Sequence, residues 1–288
     1  MTFSALLSSG EFLVTVDTIP PKGTDLSGVF RRISSLKNRV NGINVVDMPS
    51  AVMRMSAIAL SYHLKEKGFT PILQMTCRDR NRLSLQADLL GASVLGIENF
   101  LILGGDPTGL SDDPAAQAVF DLDSIQLLSA ARGLEEGYDL AGNKLHGSPQ
   151  FCLGAALDPG AEPLEKEIEK AEKKSAAGAD FFQTQPIYEA GVFSEFKKKI
   201  SHFKAPILAG IFLLKSARMA HYMNENIPGI RVPKGIIAEM ERAKDPVQKS
   251  IEIAIRTIAS LRTISEGVHI MTIGWEDKIP LVLNELGL

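Results

Sequence analysis

The segment Val14-Thr-Val-Asp-Thr-Ile-Pro-Pro21 decides which of two α/β folds the chain adopts. Its first residues complete a candidate β-strand at residues 12–16, and that strand runs directly into Asp-Thr-Ile-Pro-Pro. An open, doubly wound sheet often carries a GxGxxG phosphate-binding loop after its first strand. Because no such loop follows here, the segment favours a closed barrel over the open sheet.

The rest of the chain alternates short apolar runs with longer amphipathic segments. The apolar runs are typical of parallel strands that are buried on both faces. The further candidate strands are residues 42–46, 70–75, 99–103, 150–155, 180–184, 206–210 and 267–271. The candidate helices are residues 51–67, 82–91, 124–136, 164–177, 192–202 and 246–265. Eight strands with helices between them predict an α/β fold of the (β/α)8 TIM barrel type.

Two intervals between strand starts are much longer than the others, at 51 and 61 residues. The first contains a Pro/Asp/Gly-rich stretch after Gly104 and a loop at 137–149. The second contains the loop 227–233 and an additional helix. Extra chain in a barrel commonly builds loops around the active face or an oligomer contact. No low-complexity linker divides the chain, so we predict a single domain, residues 1–288.

Composition and charge exclude several functional classes. The chain has 288 residues and a net charge of −3, with acidic and basic residues interspersed, whereas nucleic-acid binding needs a clustered basic surface. No apolar run approaches the length of a membrane span, and the first ten residues lack the positive region of a secretory signal. Cys77 and Cys152 match neither a disulfide framework nor a metal-ligand spacing. We therefore predict a cytoplasmic protein without nucleic-acid or membrane partners.

The polar residues at the predicted strand ends indicate a pocket of carboxylates and amides, at the barrel face where enzymes of this fold place their chemistry. These residues are Asp17, Asp47, Gln74, Thr76, Asp106, Asp158, Gln183, Gln185 and Thr272. They include no Ser-His-Asp set, and none of the five histidines falls at a predicted strand end. The carboxylates are dispersed and His146 and His269 have no partner in sequence, so we predict no metal site.

Some of these positions have structural as well as functional interpretations. Asp17 could equally cap a turn by accepting hydrogen bonds from nearby backbone N–H groups. Asp106 follows Gly104-Gly105, which let the backbone approach a ligand closely, so the functional interpretation is favoured there. Gln185 offers both a donor and an acceptor, which suits the edge of a heterocycle.

The basic and methionine positions have simpler interpretations. Lys170, Lys173 and Lys174 follow the spacing of a solvated helix face, with a phosphate contact as the alternative. The scattered methionines are expected to fill the core. They include Met53, Met55, Met219, Met223 and Met240. Composition and pattern therefore predict a barrel with an acidic, amide-rich mouth, and they do not name a reaction.

Longer strings carry a family resemblance. They are Val14-Thr-Val-Asp-Thr-Ile-Pro-Pro-Lys-Gly23, Gln74-Met-Thr-Cys-Arg-Asp-Arg-Asn81, Gly104-Gly-Asp106, Val119-Phe-Asp-Leu-Asp-Ser-Ile-Gln126, Gly178-Ala-Asp-Phe-Phe-Gln-Thr-Gln185, Val232-Pro233 and Gly267-Val-His-Ile-Met271. In this order they resemble methylenetetrahydrofolate reductases, in particular the short bacterial branch of anaerobic one-carbon metabolism. The resemblance runs nearly from end to end, so the chain is identified as a member of that family.

The resemblance implies a flavin, normally FAD with FMN as the alternative, held across the C-terminal face of the barrel. Hydride then passes from flavin N5 to the methylene carbon of 5,10-methylenetetrahydrofolate and gives 5-methyltetrahydrofolate, a step associated with methionine biosynthesis. NADH, NADPH or a redox partner protein is the expected electron donor, since the family has no separate Rossmann motif. Relatives are commonly oligomeric, so a homo-oligomer is expected.

The resemblance also implies roles for particular residues. Asp17 stands at the position of the family acid, which promotes opening of the folate's five-membered ring. Asp106 corresponds to an aspartate that lies beside flavin and pterin and stabilises a cationic iminium intermediate. Substrate contacts are implied for Gln185 and Met223. Cofactor contacts are implied for Val46, Gln74, Thr76, Gly105, Asp106, Lys170 and Lys174, the two lysines lying near the diphosphate.

Four positions depart from the common family pattern. Asp17 replaces a glutamate and is one methylene shorter, which matters because a general acid must reach its proton acceptor. Val46 replaces a threonine that faces flavin N5, Gln74 replaces a frequent histidine, and Gly104 replaces a larger residue. Two alternative functions therefore stay open. One is a flavin-free tetrahydrofolate-dependent methyltransferase, and the other is a flavin- or folate-binding subunit of a larger redox complex.

Overall fold

The chain forms a closed barrel of eight parallel strands in a computed structural model that describes residues 1–227 and 230–288. Each strand pairs with the next one along the chain, and the last pairs with the first. The strands are β1 (Leu13–Thr18), β2 (Gly42–Val45), β3 (Pro71–Thr76), β4 (Asn99–Leu103), β5 (Cys152–Leu157), β6 (Phe181–Pro186), β7 (Ile207–Phe212) and β8 (Gly267–Met271). This confirms the predicted (β/α)8 TIM barrel, while the single domain over residues 1–288 stays a prediction.

Helices surround the barrel and cover its outer face. They are α1 (Phe3–Leu7), α2 (Ser27–Ile33), α3 (Ala57–Glu66), α4 (Arg82–Val94), α5 (Ser124–Glu135), α6 (Leu164–Ala176), α7 (Ala190–Lys199), α8 (Ala217–Asn226), α9 (Lys234–Arg242), α10 (Pro246–Leu261) and α11 (Ile279–Leu286). The apolar faces of α2 to α7, α10 and α11 share the main hydrophobic core with the outward residues of the strands.

Some strands continue farther than their apolar residues predict. β1 ends at Thr18 instead of residue 16, because Asp17 and Thr18 still pair with Asn44 and Val45 of β2. Apolar residues mark the buried part of a strand, whereas the backbone ladder continues through polar residues at the barrel mouth. The candidate site lies at these polar ends.

The helix predicted at 51–67 begins only at Ala57, so its predicted start was wrong. Met48, Ser50 and Ala51 have positive φ angles of 44°, 55° and 58°, which a right-handed helix cannot contain. Residues Pro49–Ala51 instead form a short 3-10 turn beside the barrel mouth. The segment between β2 and α3 is therefore a shaped loop, and it contributes to the site.

The barrel interior is apolar at its N-terminal end. Helix α1 packs there, and its Phe3 ring meets Phe181 edge to face with the centroids 5.4 Å apart. Phe181 also fills the space over Gly154, where an added Cβ would lie 2.3 Å from the ring. The apolar layer consists of Leu13, Ile72, Leu101, Cys152, Phe181 and Leu208. Since side chains alternate along a strand, the residue two positions farther on also faces inward, and this places the next layer toward the mouth.

The two long intervals add structure after β4 and after β7. After β4 the chain forms a 3-10 turn at Thr108–Leu110 and then α5, which is followed by a bridge between Tyr138 and Lys144. After β7, α8 and α9 pack around a small apolar cluster of their own. Of the predicted loop 227–233, Pro228 and Gly229 lie outside the described residues. No helix within residues 1–227 and 230–288 is long and apolar enough to cross a membrane.

Candidate active site

A cavity of about 460 Å³ opens at the C-terminal ends of the strands. Seven predicted site residues line it together: Asp17, Val46, Gln74, Thr76, Gly105, Asp106 and Gln185. A second cavity, of about 340 Å³, lies beyond the ends of β5 and β6 and is lined by Pro159, Glu162, Tyr188 and Arg231 among others. Lys170, Lys174 and Met223 are not among the residues that line either cavity.

Asp17 is a buried carboxyl group at the end of β1. Its side chain is 13% exposed, and Nε2 of His269 lies 3.3 Å from its Oδ1. Gln74 donates from Nε2 to the same Oδ1 over 3.5 Å. Burial, and secondarily the negative charge of Glu276, raises the pKa of Asp17 well above its ordinary value of 3.8. Asp17 therefore retains a proton at pH values where an exposed aspartate is ionised, as a general acid requires.

His269 lines the cavity from β8, although the sequence predicted no partner for it. It is 4% exposed, and its Nδ1 lies 3.2 Å from Oγ1 of Thr15. Burial lowers the pKa of His269 to about 3, so the imidazole is neutral at physiological pH. His269 lies in the middle of β8 and not at a strand end, so its sequence position does not mark it as a site residue. Its register with Thr15 across the β1–β8 closure brings it beside Asp17.

Glu276 is a second acidic group that sequence reasoning missed. It is fully buried, accepts from the Thr18 hydroxyl at 3.0 Å and is paired with Nε of Arg32 at 2.9 Å. It lies in the 3-10 turn Glu276–Lys278 just before α11, far from Asp17 in sequence. Its paired carboxylate is structural, and its charge adds to the environment that keeps Asp17 protonated.

Asp106 lies at the rim of the cavity on the loop after β4. Its Oδ2 accepts from the backbone N–H of Ser50 at 2.7 Å, which joins the loop after β4 to the loop after β2. Gly105 has a φ of +99°, and an added Cβ there would lie 2.9 Å from Cβ of Arg78. The glycine is thus required by both backbone conformation and space. The side chain of Asp106 is exposed to the cavity mouth.

Asp47 has a structural role that its position alone did not reveal. Its carboxylate accepts from the backbone N–H and the hydroxyl of Thr76, at 3.0 and 3.1 Å. Arg80 also donates to both of its oxygens, at 2.8 and 3.2 Å. Nε of Arg80 lies 2.9 Å from Asp88 on α4. Asp47 therefore holds the ends of β2 and β3 together as part of a buried ion-pair network.

Gln185 reaches the cavity because β6 is irregular where it ends. The register between β6 and β7 shifts between Gln183 and Pro186. Gly210 on β7 makes this possible, since an added Cβ would lie 2.3 Å from the carbonyl oxygen of Thr184. The Thr184 hydroxyl accepts from the Gly210 N–H at 2.8 Å and fixes the irregular segment. The side chain of Gln185 makes no hydrogen bond to the described residues, so its amide is available to a ligand.

The lysines of α6 differ from each other. The Lys170 side chain is 63% exposed, as the solvated-face interpretation predicts. Lys174 contradicts that interpretation, because its Nζ turns inward and donates to the carbonyl of Ala156 at 2.6 Å. Burial lowers the pKa of Lys174, while Glu167 at 4.0 Å acts in the opposite direction. A contact of either lysine with a diphosphate stays a prediction.

Met223 lies in the small apolar cluster between α8 and α9, where it is 2% exposed. This burial agrees with the expectation that the methionines fill the core, whereas the same expectation was wrong for Met53, which is 62% exposed. Its implied contact with the folate stays a prediction, and the side chain would have to be uncovered for that contact to form.

The whole chain resembles one family. A family model described as methylenetetrahydrofolate reductase matches residues 2–287. The chain belongs to the methylenetetrahydrofolate reductase family. Methylenetetrahydrofolate reductase 2 of Schizosaccharomyces pombe is 23% identical over 98% of this chain and 46% of its own length. The probable methylenetetrahydrofolate reductase (NADPH) of Caenorhabditis elegans is 27% identical over 82% of this chain and 35% of its own length. The chain thus spans less than half the length of these curated relatives.

Solved structures with the same fold include a methyltetrahydrofolate-binding protein. An uncharacterized protein from Clostridium thermocellum, which binds two copies of 5-methyl-5,6,7,8-tetrahydrofolic acid, superposes with a TM-score of 0.68 at 15% identity. The superposition covers 99% of both chains. A 2,3-dimethylmalate lyase superposes with a TM-score of 0.54 at 9% identity, over 100% of this chain and 86% of its own. At these identities the similarity supports the barrel fold.

The cavity has the mixed apolar and polar lining that suits a bound heterocycle. Val46, Leu103 and Met271 provide apolar walls, and Gln74 and Gln185 provide polar groups at the edges. Gly104 leaves open space, because an added Cβ would meet no atom of the described residues within 4 Å. These residues fit the flavin ring that the family implies.

Proposed function

We propose that this protein is a flavin-dependent oxidoreductase that interconverts 5,10-methylenetetrahydrofolate and 5-methyltetrahydrofolate. The observation that carries the proposal is Asp17, a buried carboxyl group with a raised pKa that lines the cavity. Membership of the reductase family and the mixed apolar and polar lining of the cavity support it.

Asp17 is the proposed proton donor. Opening the five-membered ring of the folate requires a proton at the departing nitrogen, and a neutral carboxyl group can supply it. Oδ1 of Asp17 faces Nε2 of both Gln74 and His269, at 3.5 and 3.3 Å. These two side chains orient the carboxyl group and remain beside it when it becomes a carboxylate.

Asp106 is the proposed electrostatic partner of the cationic substrate. Ring opening places positive charge on the folate, and a fixed carboxylate nearby stabilises that charge directly. The hydrogen bond from the Ser50 N–H holds one oxygen of Asp106 in place and leaves the other for the ligand. Gln185, whose amide is free of the described residues, is the proposed contact to the pterin edge.

A bound flavin supplies the hydride acceptor or donor at its N5. The residues proposed to hold its ring are Val46, Gln74, Thr76, Gly105 and Asp106, all of which line the cavity. Lys174 and Lys170 are the proposed cations for the cofactor's diphosphate. For Lys174 this contact requires that its ammonium turn away from the Ala156 carbonyl or be shared with it.

Further parts of the proposal concern the setting of the reaction. FAD is the expected flavin and FMN is the alternative, with NADH, NADPH or a redox partner protein as electron source. We expect a cytoplasmic homo-oligomer whose product is the methyl donor for methionine biosynthesis.

The proposed function is tested by an absorbance spectrum followed by anaerobic addition of 5-methyltetrahydrofolate. We expect a flavin band that bleaches, which would demonstrate cofactor, substrate and hydride transfer together. Absence of a flavin band after reconstitution with FAD and with FMN would refute the proposal and favour the flavin-free methyltransferase.

A flavin- or folate-binding subunit without turnover is the second candidate. It is favoured by the short arm of Asp17 and by Val46, which cannot donate a hydrogen bond toward flavin N5. A flavin band that does not bleach would support it. The double substitution Asp17→Glu, Val46→Thr separates the two candidates. A large gain of activity would indicate that the present residues are disabling, while a loss would indicate that they are adapted to the reaction.

A further inference from the structure

A chain of buried polar side chains crosses the barrel interior one layer below Asp17. Asn44 on β2 donates from Nδ2 to Oε1 of Gln183 on β6 at 2.6 Å. Nε2 of Gln183 donates to Oγ1 of Thr15 on β1 at 3.2 Å. The Thr15 hydroxyl lies 3.2 Å from Nδ1 of His269 on β8. Polar groups this deep in a barrel are costly unless they are hydrogen-bonded, and here each one has a partner.

Asn44 and Gln183 form a reciprocal amide pair that presents a donor to Thr15. Oε1 of Gln183 accepts from Asn44 at 2.6 Å, while Nε2 of Gln183 donates to Oδ1 of Asn44 at 3.3 Å and to Oγ1 of Thr15 at 3.2 Å. The hydrogen of the Thr15 hydroxyl can then reach Nδ1 of His269 at 3.2 Å or the carbonyl of Val268 at 3.5 Å, and the nitrogen is the closer acceptor. A neutral imidazole has one N–H group, so accepting a hydrogen bond at Nδ1 leaves the hydrogen on Nε2.

We propose that Thr15 and Gln183 are positioning residues that hold His269 as its Nε2–H tautomer, so that the imidazole presents a hydrogen-bond donor to Asp17. The catalytic meaning of this inference rests on the proposed function, whereas the tautomer itself does not.

The tautomer determines where Asp17 carries its proton. Nε2 of His269 lies 3.3 Å from Oδ1, and Nε2 of Gln74 lies 3.5 Å from the same oxygen. With two N–H groups facing Oδ1, the proton belongs on Oδ2, which is left for the substrate. Catalytic contacts that are long without a ligand commonly tighten when the site is occupied. The opposite tautomer would present a lone pair to Asp17 and draw its proton away from the substrate.

The test reads the tautomer in the protein without flavin or folate. Protein with 15N-labelled histidine is examined by long-range 1H–15N correlation NMR at neutral pH, and His269→Gln identifies the signals of that ring. Burial keeps the ring neutral, with a pKa of about 3, so one tautomer pattern is observable. We expect the Nε2–H pattern. The Nδ1–H pattern as the main form, or a protonated ring, would overturn the proposal.

Variants of Thr15 test how the tautomer is held. Thr15→Val removes the hydroxyl donor and is expected to produce a mixture of tautomers, while Thr15→Ser keeps the donor and the wild-type pattern. Thr257→Val is the matched control, since Thr257 is a buried hydroxyl that donates to Ile253 within α10. A Thr15→Val protein with the unchanged Nε2–H pattern would refute the role of Thr15.

A kinetic measurement then connects the tautomer to catalysis. In anaerobic reduction by 5-methyltetrahydrofolate, Thr15→Val is expected to slow flavin bleaching by about tenfold, the size of one lost hydrogen bond, with the half-saturating folate concentration unchanged. An unchanged rate would refute the positioning role. A wild-type protein that binds no flavin would instead refute the proposed function, and the tautomer result would still decide the present proposal.

Discussion

The two sides of the barrel mouth each contain a buried aspartate, and the groups around these two aspartates are opposite in character. On the side of β2 and β3, Asp47 is surrounded by donors, with Arg80 on both oxygens and Thr76 donating twice. On the side of β1 and β8, no cation among the described residues pairs with Asp17, which meets a neutral imidazole and one long amide contact. Both carboxyl groups stand at strand ends and both are nearly buried.

The comparison shows what distinguishes a carboxylate with a structural role from a carboxyl group that can transfer a proton. A carboxylate that is paired and fully hydrogen-bonded stays ionised and holds the surrounding loops in place. A carboxyl group that is buried without a cation keeps its proton, and a kept proton can be transferred. In this barrel the paired Asp47 stabilises the site, and Asp17 keeps a proton that the proposed reaction would use.

The largest expected effect concerns the β1–β8 side of the mouth, where Asp17 lies. Asp17→Asn keeps the shape of the side chain and removes its acidic proton, so flavin-coupled turnover of folate is expected to fall by roughly 10²–10⁴-fold. Asp17→Glu, which retains the acid, is the control. Steady-state and anaerobic half-reaction rates measure the change. Activity of Asp17→Asn within a few-fold of wild type would place the acid elsewhere.

The next largest effect concerns the β2–β3 side of the mouth, where Asp47 is paired with Arg80. Arg80→Met leaves the buried carboxylate of Asp47 without its cation, so the free energy of unfolding is expected to fall by about 3–5 kcal/mol. Chemical denaturation measures this loss. Arg82→Met is the matched control, because Arg82 pairs with Asp121 at the exposed start of α4 and its removal should change stability little. Equal effects of the two substitutions would contradict the structural role given to the Asp47 network.

A third substitution tests how the mouth positions Gln185. Gly210→Ala places a Cβ 2.3 Å from the Thr184 carbonyl, so the irregular end of β6 must shift. We expect a loss of about 1–3 kcal/mol in stability, together with weaker binding of methyltetrahydrofolate. Gly235→Ala is the control, since an added Cβ there meets no described atom within 4 Å. Unaltered folate affinity in Gly210→Ala would remove Gln185 from the substrate site.

The smallest expected effect is a change in how the stability of the protein depends on pH. The pKa of Asp17 is higher in the folded protein than its ordinary value of 3.8, which applies to the unfolded chain. At a pH between these two pKa values, the unfolded chain has lost the proton while the folded protein keeps it. Stability therefore falls as pH rises through that window, and the loss persists above it. Asp17→Asn should accordingly raise the melting temperature at neutral pH by a few degrees, on the order of 1 kcal/mol, and leave it unchanged below about pH 3.8.

Asp25 provides the control of opposite sign. Hydrogen bonds from Ser27 lower the pKa of Asp25, so its contribution is present above pH 3.8 and lost as the pH falls. Asp25→Asn is expected to lower the melting temperature slightly at neutral pH. A neutral-pH gain in Asp25→Asn, or a loss in Asp17→Asn, would contradict the assigned directions.

The fold was predictable because each strand is a local apolar run with its own spacing to the next. The strand-end residues Asp17, Gln74, Asp106 and Gln185 were predictable for the same reason, since the C-terminal ends of barrel strands meet at one face. The partners of these residues were not. His269 reaches Asp17 only through the register of β8 with β1, more than 250 residues away in sequence.

Side-chain direction was the other quantity that the sequence pattern did not contain. Helical spacing placed Lys174 with Lys170 on a solvated face, yet its long side chain turns inward to the end of β5. The roles of Asp47 and Glu276 likewise depend on which arginine approaches from a neighbouring element. Such contacts are tertiary, so the sequence of a single strand or helix does not predict them.

The proposed reaction depends most directly on the protonation of Asp17. Carboxyl 13C NMR of aspartate-labelled protein, with Asp17→Asn to assign the signal, follows that group across a pH titration. The proposed role of Asp17 as proton donor predicts that Asp17 titrates well above 3.8 and is still protonated where the exposed aspartates are ionised. An Asp17 signal that titrates at or below 3.8 would contradict this role, because an ionised group on this side of the mouth could not donate the proton that the proposed reaction needs.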